Sequence, residues 1–178
     1  MRLDPEKLRE AAWRGFRRYL LDSMPRRLSY ILGEDRAARL VIEASEKATM
    51  EGLREMLEGL GVDASSMTAR DIAAMVSMGL NSVMQGEVFS TNVEEEGDGV
   101  YTVKCLDREV CSLLPAGIGF FLGMYSGALR LLGHRAAAIP RRPGQEDKGR
   151  LCRSVMKPEF IVWFDREECR LVIEELRC

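Results

Sequence analysis

The chain has 178 residues, which is enough for one domain with a substantial hydrophobic core and too few for two ordinary domains. Its 26 Lys and Arg residues nearly balance 28 Asp and Glu residues, and the formal charge of −2 gives no indication of a general nucleic-acid or anionic-membrane binder. Five cysteines, one histidine and an N-terminus without an apolar signal segment predict a soluble cytoplasmic protein with few catalytic groups.

The first half of the chain is predicted to be helical. Asp4 and Pro5 are typical of a helix start, and apolar residues then recur at helical spacing to about Leu21, with arginines on the other face. The stretch Asp22–Pro25 breaks this pattern, and Gly33 ends a short helical piece. The remaining predictions here are a long helix from Asp35 to about Leu60, a loop from Val62 to Met67, and a helix from a Thr68–Asp71 capping box to about Met84.

The second half of the chain is predicted to form mainly β-strands, apart from one helix. Strand-like segments are Glu87–Glu94 and Val100–Leu106, joined at a tight Asp98-Gly99 turn, then His134–Ile139, Leu151–Met156 and Glu159–Phe164. Proline and glycine make 140–149 an exposed loop. The pattern of residues 166–176 fits either a strand or a short helix.

The segment from Leu113 to Gly133 is apolar on nearly all sides, which indicates a buried helix. Gly119, Gly123 and Gly127 fall four residues apart and form a ridge without side chains. This ridge favours either close packing against another helix or one wall of an apolar pocket. A membrane span is the competing interpretation, but Arg130 and the glycines disfavour it. Helices followed by an antiparallel sheet around one buried Gly-rich helix predict the α+β class.

The order of these elements resembles the 4-vinyl reductase domain family, which shares its fold with core subunits of the vesicle-tethering complex TRAPP and is similar to the haem nitric-oxide-binding domain. The resemblance rests on Leu32–Thr49, on Val100–Gly133 with Val-Lys-Cys105 and Cys111, and on Leu151-Cys152-Arg153 through Pro158-Glu159-Phe160. It implies a single domain over residues 1–178, in which 1–31 is an N-terminal helical extension and 32–178 is the ligand-binding part.

The resemblance also implies a small hydrophobic ligand and, in many members, zinc held by cysteines. The cysteine positions carried over are Cys105, Cys111 and Cys152, although Pro158-Glu159-Phe160 lacks the cysteine that the family pattern places before the final Glu-Phe. From the residues themselves, methionines and aromatic side chains can line an apolar cavity, with one tyrosine as its polar group. The predicted ligand-binding residues are Gly119, Phe120, Gly123, Met124, Tyr125, Gly127, Met75 and Met78.

Three alternatives to a ligand-binding sensor or carrier stay open. Zinc needs about four ligands, and the spacing of Cys105 and Cys111 is wider than in common zinc hairpins, so Cys152, Cys169 or His134 would have to complete a site. Buried free thiols that act as small hydrophobes compete with this interpretation. An enzyme would use Cys105 or Cys111 as a nucleophile beside Arg108, and haem would have to use His134, the single histidine. A scaffold with a filled core is the third alternative, and the first helix is predicted to pack across a homodimer partner.

Overall fold

Helices and one five-stranded sheet make up the structure, a computed structural model that describes residues 4–61, 67–97 and 99–178. The α-helices of these residues are α1 (Pro5–Arg18), α2 (Met24–Leu32), α3 (Glu34–Leu60), α4 (Ala69–Val83), α5 (Arg108–Cys111), α6 (Pro115–Leu131) and α7 (Gln145–Cys152). The strands are β1 (Phe89–Glu95), β2 (Val100–Cys105), β3 (Ala136–Ala138), β4 (Phe160–Asp165) and β5 (Arg170–Glu175). The predicted α+β class is confirmed.

Helix α1 begins as the sequence predicts, but the expected break after it is absent. The Asp4 carboxylate accepts a hydrogen bond from the Glu6 N–H at 3.0 Å, and Pro5 occupies the first turn. A π-helical turn, Tyr19–Ser23, then leads directly into α2, where Pro25 lies in the first turn. Ser23 and Met24 keep helical dihedrals, so Pro25 lies within a continuous helical run. The π-helical turn before it changes the hydrogen-bond spacing, with the Met24 N–H donating to the Tyr19 carbonyl, and the chain continues as a helix past the proline.

Helices α3 and α4 confirm the predictions for the middle of the chain. Helix α3 begins one residue before its predicted start, at Glu34, and ends at Leu60, where Gly61 caps it with a φ of 63°. The capping box of α4 is present, because the Thr68 hydroxyl accepts from the Asp71 N–H and the Asp71 carboxylate accepts from the Thr68 N–H. The predicted loop between the helices lies mostly outside the described residues, at 62–66.

The sheet has the strand order β1-β2-β5-β4-β3 and is mixed. The hairpin of β1 and β2 is confirmed, and β2, β5 and β4 also pair antiparallel. Strand β3 was expected in an antiparallel sheet, but it pairs parallel to β4. The chain leaves β3, passes through α7 and returns along the same direction, a crossover that a parallel pair requires.

Helix α7 corrects two predictions made for the segment before β4. Residues 145–149 were expected in an exposed loop and Leu151–Met156 in an extended segment. Helix α7 instead includes all of 145–149 and the first two residues of the second segment. Its first turn is closed by Asp147, whose carboxylate accepts from the Gly144 N–H at 3.1 Å. The helix has no fully buried residue, so it lacks the apolar periodicity by which a buried helix is found.

The C-terminal segment that the sequence left undecided forms a strand. Asp165 closes the turn before it by accepting from the Glu167 N–H at 3.1 Å, and β5 then pairs with both β2 and β4. Alternate residues of β4 and β5 point to opposite faces of the sheet. Val162 and Ile173 face the main core with α6, whereas Trp163 belongs to a smaller cluster on the other face, beside Leu151 of α7.

Candidate functional site

The glycine ridge of α6 is covered by the backbone of α3. A Cβ atom placed on Gly123 would lie 2.5 Å from the carbonyl oxygen of Ile42, and one placed on Gly127 would lie 2.7 Å from that of Glu46. The Ser45 hydroxyl donates to the Phe120 carbonyl at 2.6 Å, which joins the helices where they are closest. Gly119, Gly123 and Gly127 therefore allow close packing of α6 against α3, and they do not form the wall of a pocket, the other role that the sequence left open.

Tyr125 lies in the core rather than beside an open space. Its side chain is fully buried, and its hydroxyl shares a 2.8 Å hydrogen bond with the Ser77 hydroxyl. The ring meets Phe89 edge to face, with 5.8 Å between ring centroids. Burial raises the pKa of Tyr125 far above its usual range, against a smaller lowering by the Ser77 hydrogen bond.

An apolar groove opens beside this core, between α3, α4 and α6. Its volume is about 380 Å³, within the usual range for small-ligand sites. The groove, called the α3–α4–α6 groove below, is lined by Ser45, Ala48, Thr49, Gly52, Leu53, Met56, Met75, Val76, Gly79, Leu80, Val83, Phe120 and Met124. Two of these thirteen residues carry a hydroxyl and none carries a charge, so the groove suits an apolar molecule.

The structure divides the predicted ligand-binding residues into three groups. Phe120, Met124 and Met75 do line the α3–α4–α6 groove. Met78 is 55% exposed and is not among the lining residues, although it lies only three residues from Met75. The third group, the three glycines and Tyr125, is packed within the protein.

Sequence reasoning missed the wall that α3 contributes to the groove. Six lining residues come from α3, among them the small residues Ala48 and Gly52. A Cβ atom placed on Gly52 or on Gly79 of α4 would meet nothing within 4 Å. The run of small residues in the middle of α3 was the available signal, since small residues near a helix contact leave room for a neighbour or a ligand.

Three cysteines meet where β2, α5 and the turn before β5 come together. The sulfur atoms of Cys105, Cys111 and Cys169 all lie within 4.8 Å of one another. Cys111 and Cys169 form a disulfide, whereas the Cys105 thiol is free and buried. Cys105 and Cys111 are thus together, as the resemblance implied, and three sulfur atoms at this distance are close enough to bind one metal ion once the disulfide is reduced.

Cys152, the third implied zinc ligand, lies elsewhere. It forms a disulfide with Cys178, which joins the end of α7 to the end of the chain. The third member of the cluster is Cys169, a position that the family pattern did not identify. The expectation of free cysteines acting as small hydrophobes is also wrong for four of the five, and holds for Cys105 alone.

The surroundings of Cys105 disfavour a nucleophilic role. Burial raises its pKa to about 11, more than a backbone hydrogen bond of Asp107 lowers it. Reactive cysteines have lowered pKa values, because the thiolate is the nucleophile. The Asp107 carboxylate is engaged elsewhere, in an ion pair with Arg17 of α1.

His134 follows α6 and precedes β3, away from the α3–α4–α6 groove. Its ring meets Phe160 edge to face at 5.4 Å, and its Nδ1 lies 3.9 Å from the Glu159 carboxylate. These contacts indicate a packing role for the imidazole, just before the edge strand β3. It is not among the residues lining the apolar groove, where a haem ligand would be useful.

No protein-family model, curated protein or solved structure matches the chain. Among the residues that the structure describes, no helix is both long enough and apolar enough to cross a lipid bilayer. The 17-residue α6, for which a membrane span was the competing interpretation, is instead the central helix of the core.

Proposed function

We propose that this protein binds a small hydrophobic molecule in the α3–α4–α6 groove and acts as a sensor or carrier of that molecule. The observation that carries the proposal is an open groove of about 380 Å³ with no charged lining residue. Soluble domains bury such surface unless a partner or ligand uses it. The resemblance to the 4-vinyl reductase domain supports the same function.

The lining of the groove indicates the class of ligand. Met56, Met75 and Met124 supply flexible, polarisable side chains, which adapt to ligands of different shape. Phe120 supplies an aromatic surface, and the Thr49 hydroxyl offers one polar contact. We infer an aliphatic or aromatic hydrocarbon with at most one or two neutral polar groups, because a charged group would find no partner there.

Two glycines of the groove provide the sharpest test. Gly52→Leu and Gly79→Leu each place a side chain into open space, so they fill the groove without displacing a neighbour. The matched control is Gly59→Leu, which makes the same change two turns along α3, at a glycine that also has nothing within 4 Å and is not a lining residue. All three exchange glycine for a better helix former.

The probe is N-phenyl-1-naphthylamine, whose fluorescence rises in apolar sites. We expect the wild-type protein and Gly59→Leu to bind it, and each groove variant to bind about tenfold more weakly or less, since the added side chain occupies the site. Equal binding by wild-type protein and both groove variants would overturn the proposal. Native mass spectrometry of the purified protein, beside a denatured sample, then identifies any molecule that co-purifies.

A second candidate function, binding of a soft metal ion such as zinc, rests on the cluster of Cys105, Cys111 and Cys169. A phosphine reductant converts the disulfide into two thiols, which makes three sulfur ligands available. We expect about one zinc per chain after reduction and none before it. Cys169→Ser should abolish zinc binding, whereas the control Cys152→Ser should retain it, and binding by both would contradict this site.

Two further expectations accompany the proposed function, and one alternative opposes it. A homodimer and a place in the cytoplasm stay predictions, and counting free thiols in freshly isolated protein sharpens the second, because disulfides persist in oxidising compartments. A TRAPP-like scaffold without ligand is the remaining alternative. It predicts that neither the probe nor a co-purified molecule occupies the groove.

A further inference from the structure

The N-terminal helix α1 is attached to the protein along one edge only. Trp13 and Arg17 of α1, and Leu20 of the π-helical turn that follows it, fall at helical spacing on that edge. Trp13 and Leu20 pack against the core, and Arg17 forms an ion pair with Asp107. No residue of α1 is fully buried.

The attached edge leaves a line of apolar side chains in solvent. Leu8, Ala12 and Phe16 of α1 and Tyr19 of the π-helical turn follow one another at intervals of four, four and three residues, so they share one side of this helical segment. Leu8 is 57% exposed, Phe16 53% and Tyr19 54%. These four residues are called the apolar stripe below. The Trp13 ring meets the Phe16 ring with 5.6 Å between centroids, yet all four side chains of the stripe remain exposed.

Basic side chains border the apolar stripe. Arg9 lies beside Phe16 on the helical projection, and Lys7 and Arg18 lie on the opposite border. All three are exposed. An apolar stripe with long cationic side chains at its borders is the arrangement of helices that lie in a membrane surface, where the cations reach the phosphate groups.

Positive charge is concentrated in the N-terminal segment that contains α1. Residues 1–31 carry eight Lys or Arg and four Asp or Glu, a formal charge of +4, whereas residues 32–178 carry 18 and 24, a charge of −6. The overall value of −2 conceals this division. Helix α2 continues the pattern, with Tyr30 92% and Ile31 73% exposed beside Arg26 and Arg27.

We propose that α1 docks on the surface of a membrane containing anionic lipids, with the apolar stripe among the acyl chains and Arg9 and Arg18 at the headgroups. Aromatic residues and arginine are the types enriched at this interface. A second copy of the chain is the other candidate occupant. A two-fold contact through this surface would place two segments of charge +4 against each other, which opposes it.

The test is flotation of the full chain with vesicles of phosphatidylcholine alone and of an equal mixture of phosphatidylcholine and phosphatidylglycerol. We expect association with the mixed vesicles, release by about 1 M salt, and little association with phosphatidylcholine alone. Leu8→Ser/Phe16→Ser should lower the bound fraction about tenfold, and Arg9→Gln/Arg18→Gln should lower it severalfold. The replaced side chains are exposed, so folding is retained, and circular dichroism checks this.

Two matched controls make the same chemical changes elsewhere. Val155→Ser removes a fully exposed apolar side chain outside α1, and Arg36→Gln/Arg54→Gln removes two exposed charges from α3. Both controls should bind the mixed vesicles as the wild-type protein does. Absent binding of the wild-type protein, or equal binding by the Leu8→Ser/Phe16→Ser variant, would overturn the proposal. A dimer that this variant converts to a monomer, seen by light scattering, would assign the apolar stripe to self-association instead.

Discussion

Helices α6 and α1 begin with the same local signal and end in opposite environments. Both have a proline in the first turn. Twelve of the 17 residues of α6 are buried, whereas α1 has no buried residue. The difference follows from composition, because α6 is apolar on all sides and α1 on one side only. The start of a helix is thus encoded by a few local residues. How far the helix is buried depends on how much of its surface is apolar.

Gly123→Leu tests the buried member of this comparison and should have the largest effect. The new side chain would meet the α3 backbone, which cannot move aside as a flexible side chain can. We expect a loss of about 3 kcal/mol or more in the free energy of unfolding, at the upper end for overpacked cores. Urea denaturation measures it.

The matched substitution in α1 is Gly15→Leu. A Cβ atom at Gly15 meets nothing within 4 Å, so the unfolding free energy should stay within about 1 kcal/mol of the wild-type value, the scale of helix propensity. Similar losses in both variants would show that the two helices are not as differently packed as the structure has them.

Tyr125→Phe sharpens the comparison by removing one buried hydrogen bond from α6. Near neutral pH we expect the variant to be about 1 kcal/mol less stable, the usual net contribution of such a bond. The folded-state pKa of Tyr125 is raised above its ordinary value of 10.0, so the unfolded chain releases this proton first as the pH rises. The stability that Tyr125 contributes is complete below pH 10 and is lost above it.

The difference between wild-type protein and Tyr125→Phe should therefore shrink by about 1.4 kcal/mol per pH unit above the ordinary tyrosine pKa and vanish near pH 11. Urea denaturation at several alkaline pH values measures it. The control is Tyr30→Phe, since the 92% exposed Tyr30 should show no such change. A constant difference across this pH range would contradict the buried position of Tyr125.

Arg17→Ala tests the attached edge of α1 and should have the smallest effect on global stability. Arg17 and Asp107 are partly buried, and their ion pair joins α1 to the residue that caps the start of α5. We expect amide hydrogen exchange in α1 to accelerate about tenfold while the global free energy of unfolding changes by less than about 1 kcal/mol. Arg9→Ala, which removes an exposed pair with Glu6, is the control and should change neither. Unchanged exchange in Arg17→Ala would show that other contacts hold α1.

Most elements of the fold were predictable because their signals are local. The capping box at Thr68, the apolar run that becomes α6 and the hairpin of β1 and β2 each depend on a few neighbouring residues. Helix α7 escaped prediction because it has no buried residue and contains Gly149. The parallel pairing of β3 escaped because strand direction depends on the path between strands, which the pattern within a strand does not contain.

The candidate sites were predictable only in part. Met75, Phe120 and Met124 were identified as ligand-binding residues by type and spacing, and they do line one groove. Ala48 and Gly52 also line the groove but were not identified, because a small residue contributes empty space rather than a side chain whose type indicates ligand binding. Cys169 lies 58 residues from Cys111, and no local pattern connects them.

The sequence by itself therefore determined where most of the helices and strands form, α7 excepted, and that α6 is buried, because propensity, capping and hydrophobic periodicity act over a few residues. The tertiary structure decided which neighbour covers the glycine ridge, which cysteines meet, and which side of α1 stays exposed. These outcomes depend on contacts between segments far apart in the chain, such as Gly123 with Ile42 and Arg17 with Asp107. Their geometry exists only after the helices and the sheet have packed together.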